Sequence, residues 1–290
     1  MKLQNLLRPT NRGARLLVGL LLAALFCVQC TTTTQAVKES DLVRFIDGKS
    51  LGRNSPEVFA KVENLAKTDH IALLEYCLDN YDSRFSDYTC TFVKQEKIGK
   101  ELGRQQWIAV KFMERPYSVA MKWFQNAPMA DRILYVEGKY GNQMLVRPKD
   151  LLLRSLLGGS VLRQPDSPEA RESTLRPVSM FGFKRSMQSL LEVYRKARQA
   201  GDLEEAFGGF AKVAGREAIV LVRYLPAKGD YPAYRTLVYV DLEYLVPVGV
   251  ESRDWDDELI SRYIYENVKF NVSLTSDDFL PKANDLVEPH

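Results

Sequence analysis

The chain has 290 residues, 46% of them hydrophobic, and a formal net charge of +3 from 40 basic and 37 acidic residues. This length and composition suit one substantial globular domain, and the near balance of charge gives no case for nucleic-acid binding. With only two histidines, His70 and His290, a histidine cluster for zinc is excluded and a Ser-His-Asp or Cys-His set is disfavoured. No G-x-S-x-G, P-loop or Rossmann glycine pattern occurs. We therefore predict no catalytic motif, no metal and no cofactor.

Residues 1–36 predict an export signal or an N-terminal anchor. An apolar run from Leu16 to Val28 follows four cations, Lys2, Arg8, Arg12 and Arg15. This order is typical of a signal peptide, and the run is short for a membrane span. Thr34-Gln35-Ala36 approximates a small-residue cleavage site, which places the mature start near Val37. Subtracting the four cations from +3 leaves a charge of −1 on the remainder.

Two alternatives to cleavage stay open. Lipidation at Cys27 or Cys30 is one, although Phe26 and Gln29 stand where that processing site usually has a small residue. An uncleaved short anchor is the other. All three interpretations place the protein outside the cytoplasm, in the periplasm or anchored in the cell envelope, and close to a membrane. We expect it to be monomeric.

A partly flexible extension, 37–68, is predicted before a helix from Asp69 to Tyr81. Cys77 lies near the end of this helix, and Cys90 lies early in the following strand. Because an exported compartment favours disulfides, we expect these two cysteines to pair. The bridge closes a loop of about 13 residues and contributes about 3 kcal/mol on the loop-entropy model. Two buried thiols are the alternative.

Strand patterns dominate the next sixty residues. Tyr117, Val119, Met121 and Trp123 alternate with smaller or polar residues, which is the two-residue period of a strand with two different faces. Short glycine-bearing turns separate neighbouring segments, so an antiparallel meander follows. The predicted strands are 87–98, 107–113, 117–123, 132–136 and 142–146.

The second half adds a cover and more strands. We predict a short helix over 149–159, a long loop over 160–177 and an amphipathic helix from Phe183 to Ala200, ended by Gly201. Further strands are predicted over 209–213, 217–225, 235–241, 246–252 and 259–267. About ten strands with few helices place the fold in the α+β class, around one large antiparallel sheet.

Lys94 and Glu96 stand out because a spacing of two places both on one face of the first strand, with Lys111 and Lys122 on the next strands. They predict either a polar lining in an apolar cleft or a charge ladder on the wet face of the sheet. A set of large apolar residues also has two interpretations, as the wall of a pocket or as core beneath the helix. The candidate ligand-binding residues are Phe92, Met113, Met121, Trp123, Tyr135, Met187, Leu190 and Tyr194, together with Lys94 and Glu96; Trp107 shows the same ambiguity.

Acidic residues permit one enzymatic alternative. Glu96 with Glu114, or Asp254 with Asp256 and Asp257, provide the carboxylates that an acid-base hydrolase or a calcium site needs. The alternative is that these acids are ordinary turn and surface residues with no catalytic or metal-binding role.

Three short sequence motifs point to a known family: Lys94-Gln95-Glu96, Arg115-Pro116-Tyr117-Ser118-Val119 and Leu134-Tyr135-Val136-Glu137-Gly138. With them, the chain from about Asp69 to Pro281 resembles the bacterial domain of unknown function 1571. More distantly, Tyr239-Val240-Asp241, Leu245-Val246-Pro247-Val248 and Asn271-Val272-Ser273-Leu274 are similar to the end of LolA/LolB-like outer-membrane lipoprotein carriers.

The second resemblance implies a curved half-barrel whose concave face is covered by helices and accepts acyl chains. It divides the chain into a signal or anchor (1–36), an extension (37–68), one LolA-like domain (69–282) and a tail (283–290). The implied function is that of a non-catalytic envelope protein that binds a lipid or lipoprotein acyl chain. An interaction module that binds protein or peptidoglycan and a carboxylate-based hydrolase remain the alternatives.

Overall fold

The computed structural model describes residues 42–48 and 55–288. The predictions of an export signal, a cleavage site and lipidation at Cys27 or Cys30 fall outside these residues. Among the residues described, no helix is long and apolar enough to cross a membrane.

One open antiparallel sheet of thirteen strands is the scaffold of the described chain. Its strands are β1 (Val43–Ile46), β2 (Asp87–Ile98), β3 (Glu101–Leu102), β4 (Gln106–Met113), β5 (Ser118–Gln125), β6 (Ala130–Val136), β7 (Met144–Pro148), β8 (Val161–Arg163), β9 (Glu204–Val213), β10 (Arg216–Tyr224), β11 (Arg235–Asp241), β12 (Pro247–Arg253) and β13 (Leu259–Phe270). The order is β1-β9-β10-β11-β12-β13-β2-β4-β5-β6-β7-β8, and β3 pairs with β2 beside this path.

The two halves of the sheet meet where β13 pairs with β2. The register sets Ser261 opposite Glu96 and Tyr263 opposite Lys94. Residues more than 160 positions apart in the chain are thereby brought side by side on the middle strands.

Five helices accompany the sheet: α1 (Pro56–Thr68), α2 (His70–Arg84), α3 (Leu151–Leu156), α4 (Pro168–Arg171) and α5 (Phe183–Ala200). Asp69 separates α1 from α2, and its carboxylate accepts a hydrogen bond of 3.1 Å from the Ala72 amide. This is an N-cap, which satisfies a donor at the start of α2. At the other end, Gly201 closes α5 in the left-handed conformation (φ 72°), which glycine adopts without a steric penalty.

We call the face of the sheet that packs against α2 and α5 the inner face. Phe183 of α5 lies between the two elements, with its ring centroid 6.1 Å from Tyr81 of α2 and 4.9 Å from Tyr88 of β2. The alternating apolar residues of the β5 region belong to the same buried core. The predicted α+β class and the predicted cover by the helix 183–200 are confirmed.

The opposite, outer face carries a second, smaller core. Met113 packs there with Leu134, Leu145 and, from the end of the chain, Phe279 and Leu286. The pleat explains this position, because Phe112 points to the inner face and its neighbour must point away. The prediction that Met113 lines an inner cleft is therefore wrong. The predicted tail 283–290 contributes a buried side chain, Leu286, to this core.

The predicted disulfide is absent. Cys77 and Cys90 are both free and buried. Both thiols belong to the apolar core of the inner face, where they pack as small apolar groups. Burial raises the pKa of Cys77 to about 12 and raises the pKa of Cys90 as well, and both thiols therefore stay protonated.

Some elements were not predicted. The segment assigned to a partly flexible extension contains β1 and α1, with Pro56 at the first position of the helix. The long loop 160–177 contains β8 and the four residues of α4. β1, β8 and α4 have only three or four residues, too few to show a period. In α1 the apolar residues Val58, Val62, Leu65 and Ala66 do recur at helical spacing, and sequence reasoning missed this signal.

Candidate functional site

A pocket of about 110 Å³ lies against the inner face. Seven consecutive strands of the sheet order, from β12 to β7, each contribute a lining side chain: Val250, Tyr263 and Tyr265, Phe92, Ile108, Met121, Ile133 and Met144. A flat sheet separates the first and last of seven strands by about 29 Å, at roughly 4.8 Å per interval. One pocket that contacts all seven therefore shows that the sheet curves around it.

The segment 165–181, which we call the cover segment, closes the pocket on the side away from the sheet. It lies between β8 and α5 and lines the pocket with Pro165, Ala170, Ser173, Thr174, Arg176, Pro177, Val178, Met180 and Phe181. Tyr117 fastens it to the sheet, because its hydroxyl lies 2.8 Å from the Val178 carbonyl and 2.9 Å from the Phe181 carbonyl. The Arg185 guanidinium stacks over the Tyr117 ring at 3.7 Å.

Lys94 and Glu96 form an ion pair inside the pocket wall. The ammonium lies 3.0 Å from the carboxylate, and the two residues are only 7% and 3% exposed. Glu96 also accepts hydrogen bonds from the Tyr263 hydroxyl at 2.6 Å and from the Thr174 hydroxyl at 3.3 Å. Burial, followed by the charge of Glu96, raises the pKa of Tyr263.

The Lys94–Glu96 pair belongs to the wall of the pocket and also helps to hold the cover segment closed. Lys94 donates a second hydrogen bond, of 3.1 Å, to Thr174 of the cover segment. A buried ion pair is costly to form unless its remaining groups are satisfied. Here the cover segment and β13 supply those partners, so the pair is complete only when the cover segment is in place.

A row of polar side chains crosses the inner face beside the pocket. Direct pairing across successive strands joins Arg223 to Thr236, Thr236 to Ser252, Ser252 to Ser261 and Ser261 to Glu96. We call these five residues the polar row. Four of them are buried, and Ser252 is half-buried. The next row on the same face runs through Leu221, Val238, Val250 and Tyr263 to Lys94, so the polar row gives the interior a polar stripe beside a mainly apolar one.

Only half of the ten residues predicted to bind a ligand line the pocket. Phe92, Met121, Leu190, Lys94 and Glu96 line it. Trp123, Tyr135, Met187 and Tyr194 belong to the surrounding core, and Trp123 donates a hydrogen bond of 2.8 Å to Gln106. Met113 lies on the outer face, as described above. Trp107 is half-buried against the core.

Lys111 and Lys122 lie apart from Lys94. Lys111 is paired in register with Thr89, on the outer face, and donates to the Asp278 carbonyl at 3.1 Å. Lys122 is exposed and pairs with Asp285 at 3.2 Å. The pleat therefore separates these lysines from the polar lining of the pocket.

Sequence reasoning missed Tyr263, Arg176 and Arg223. Arg176 lies in a stretch without periodicity, so its approach to the pocket depends on the fold of the cover segment. Arg223 offered one signal, since it is the charged residue near the end of the otherwise apolar run Ala218 to Val222. A charge in such a run predicts a special environment on a buried strand.

The proposed pairs of acids do not form. Glu114 follows β4 at the end of β2 that begins with Asp87, where it accepts a hydrogen bond of 2.7 Å from Tyr81. Glu96 lies about nine residues further along β2, or roughly 30 Å. Asp254 instead pairs with Lys97 and accepts from the Glu258 amide in a turn. Within 42–48 and 55–288, no three His, Cys, Asp or Glu side chains are grouped to hold a metal ion.

Comparison with solved structures finds distant likenesses. The crystal structure of MucB is 12% identical with a TM-score of 0.45, and the alignment covers 75% of this chain and 64% of MucB. The chain thus spans less than two thirds of that protein. A putative outer membrane lipoprotein-sorting protein domain from Vibrio parahaemolyticus is 12% identical (TM-score 0.34; 73% and 99% covered). The lipoprotein LppX of Mycobacterium tuberculosis is 12% identical (TM-score 0.40; 71% and 96% covered).

Because these TM-scores are below 0.5, we base no functional inference on the three structures. No curated protein matches the sequence. A family model described as protein of unknown function (DUF1571) matches residues 85–287, which is more than two thirds of the chain. The chain belongs to this family, DUF1571.

Proposed function

We propose that the protein is a non-catalytic binding protein of the cell envelope that holds an acyl chain, of a lipid or a lipoprotein, in the pocket beneath the cover segment. The observation that supports this most is the pocket itself, whose walls combine aromatic and aliphatic side chains from seven strands with a single buried ion pair. This mixture is typical of sites that bind an apolar ligand and orient it with a few polar groups.

The gain from filling such a pocket is large. Burying an acyl chain contributes about 0.8 kcal/mol per methylene group, which over several methylenes offsets the entropy lost on binding. Leu190, Met121 and Ile133 provide the flexible aliphatic contacts that such a chain needs.

The cover segment has to move for a long chain to enter. The pocket of about 110 Å³ is smaller than the roughly 300–1,000 Å³ of most ligand sites. The segment is held by a few identifiable hydrogen bonds, to Tyr117 and to the Lys94–Glu96 pair. We propose that these bonds open to admit the chain and reform around it.

Binding of a fluorescent fatty acid to the original protein and to two variants tests this function. The variant Ile133→Trp places an indole in the pocket, and we expect it to weaken binding of the probe by about tenfold or more, because the ring occupies the volume of several methylenes. Ile46→Trp on edge strand β1 is the matched control and should bind as the original protein does. Equal affinity of all three proteins would place the ligand elsewhere.

A second candidate function has its own observation. Five leucines, Leu151, Leu152, Leu153, Leu156 and Leu157, are exposed around α3, two of them by 83%. Exposed apolar residues on this scale are typical of interaction sites. This surface favours an envelope interaction module that binds an apolar surface of a partner protein.

The two functions separate experimentally. The double variant Leu152→Glu, Leu156→Glu changes exposed side chains that do not line the pocket, so acyl binding should stay unchanged if the pocket is the site. Loss of co-purification with a specific envelope protein, without loss of acyl binding, would establish the surface as a separate function.

A further inference from the structure

One charged side chain inside the protein lacks adequate partners. Arg223, on β10, is only 2% exposed, yet its Nε and Nη1 atoms have no hydrogen-bond acceptor among the residues that the structure describes. Its Nη2 atom donates to the Thr236 hydroxyl at 2.9 Å, and its guanidinium lies 4.8 Å from the centre of the Tyr194 ring. A neutral hydroxyl and a ring face offset only part of the cost of burying a guanidinium.

The charged groups around Arg223 do not neutralise it. Burial lowers the pKa of Arg223, Tyr194 opposes this shift, and the charge of Arg176 in the cover segment adds to it. Glu205, the register partner on β9, directs its carboxylate to Arg198 at 3.0 Å and to the His70 amide at 3.1 Å. No described carboxylate forms an ion pair with Arg223 or Arg176.

A further unpaired group lies beside Arg223. The hydroxyl of Tyr194, on the ring that the guanidinium covers, also lacks a hydrogen-bond partner within 42–48 and 55–288 although the residue is fully buried. Unpaired buried donors each cost about 1–3 kcal/mol. Three such atoms on two contacting residues indicate a place that is built to bind a polar group and not to maximise the stability of the free protein.

This place lies next to the wall of the pocket, along α5 and along the polar row. Tyr194 follows Leu190 of the pocket wall by one turn of α5, about 6 Å along the helix. The polar row links Arg223 to Glu96 of the pocket. Arg176 lines the pocket and lies 5.8 Å from the centre of the Tyr263 ring. A ligand that is apolar along most of its length and anionic at one end fits both regions at once.

We propose that the Arg223 end of the polar row binds an oxyanion, a carboxylate or a phosphate, and that this group is the head of the amphiphile whose acyl chain occupies the pocket. This inference rests on the proposed acyl-binding function. Arg223 provides two free donor atoms, Nε and Nη1, on a cation that forms charge-assisted hydrogen bonds with oxyanions. Arg176 and the Tyr194 hydroxyl add a second charge and a further donor.

The test uses two probes that differ only in the anionic group: dansyl-undecanoic acid and its methyl ester. We expect the full-length protein to bind the acid about tenfold more tightly than the ester, the factor that a charge-assisted hydrogen bond supplies. Arg223→Met should reduce affinity for the acid to that for the ester and leave the ester unaffected. Arg44→Met, which removes an exposed arginine on β1, is the control and should change neither affinity.

Thermal unfolding of the free protein separates a binding role from a structural one. Arg223→Met removes an incompletely paired charge, so its melting temperature without ligand should rise, while the stabilisation by the acid is lost. A fall in melting temperature would mean that Arg223 acts only through Thr236 and Tyr194, and would overturn the proposal.

The remaining outcomes are distinct. Equal binding of acid and ester by the original protein overturns the oxyanion site and leaves the acyl-binding function standing. Binding of neither probe contradicts the acyl-binding function, and the oxyanion inference falls with it. If inorganic phosphate or acetate at millimolar concentration stabilises the original protein but not Arg223→Met, while neither probe does, the site takes a free anion and the headgroup assignment is wrong.

Discussion

The Tyr263 hydroxyl donates a hydrogen bond of 2.6 Å to Oε1 of Glu96, across the junction of β13 and β2. Both residues are buried in the pocket wall, and Lys94 lies 3.0 Å from the other carboxylate oxygen. This hydrogen bond therefore joins the two halves of the sheet and completes the hydrogen bonding of the buried Glu96 carboxylate.

Loss of this hydroxyl should destabilise the protein. Tyr263→Phe leaves a buried carboxylate with one donor fewer, and we expect the free energy of unfolding to fall by about 1–3 kcal/mol in urea titrations. Tyr265→Phe is the matched control, because its hydroxyl makes no hydrogen bond with a described residue while its ring lines the same pocket. An equal loss in both variants would show that the hydrogen bond contributes nothing specific.

The Tyr117 hydroxyl is predicted to hold the cover segment. In Tyr117→Phe the carbonyls of Val178 and Phe181 lose their donor, so hydrogen exchange over 165–181 should become faster, by about tenfold. An acyl probe should also associate faster, since the closed state is less stable. Mass spectrometry of exchanged peptides and stopped-flow fluorescence measure the two effects.

Tyr135→Phe is the control for that experiment. Its ring lies 5.8 Å from that of Tyr117, and its hydroxyl makes no hydrogen bond with the described cover segment. Unchanged exchange in Tyr117→Phe would contradict the role given to this tyrosine.

The buried His70 predicts a pH dependence of stability. Its burial lowers its pKa below the ordinary value of about 6.5, against the opposing charges of Glu205 and Asp69 and with the help of Arg198. The unfolded chain therefore binds more protons in the interval between the two pKa values, and stability rises with pH there. The stabilisation is fully present above about pH 6.5 and is lost as the pH falls through the lowered pKa.

His70→Gln separates this histidine from other groups. Glutamine retains a donor for the Ala66 carbonyl, which the His70 Nε2 atom contacts at 2.9 Å, and it does not titrate. The slope of unfolding free energy against pH just below pH 6.5 should be smaller in the variant, because the proton that His70 takes up on unfolding is missing. Identical slopes would assign the pH dependence to other residues.

The free thiols give a further prediction. In Cys27→Ser, Cys30→Ser protein, thiol titration should find two reactive groups after denaturation and almost none before it, because Cys77 and Cys90 are buried and protonated. A reducing agent should leave the melting temperature unchanged. A lower melting temperature in the reduced protein would show that Cys77 and Cys90 do form a disulfide.

The order of most strands and the main helix were accessible from the sequence because their signals are local. The limits of β2, β11 and α5 match the predicted ones, since each has a strong period and a turn residue at its end. The same alternation placed Met121 and Trp123 together on one face, and the fold shows that this is the inner face. These are properties of short stretches, and tertiary contacts reinforce them.

The site was accessible only in part, because it depends on pairing between distant strands. Nothing near Glu96 in the chain indicates that Tyr263 and Thr174 will contact it, and the row that ends in Arg223 exists only through four registers. Met113 shows the converse error: its size and apolarity suggested a pocket wall, while the pleat places it on the outer face. Cys77 and Cys90 are close in sequence and both are buried, but sequence distance does not fix the approach of two side chains on a helix and a strand, and the two thiols are free.

Photolabelling tests the acyl-binding pocket most directly. A fatty acid with a diazirine near the end of its chain, irradiated with the full-length protein and mapped by peptide mass spectrometry, should label residues of the pocket, in particular Met121, Ile133, Met144 and Leu190. Excess unlabelled fatty acid should suppress this labelling. Labelling confined to the exposed leucines of α3, or labelling of the pocket that an excess of competitor leaves unchanged, would contradict the proposed function.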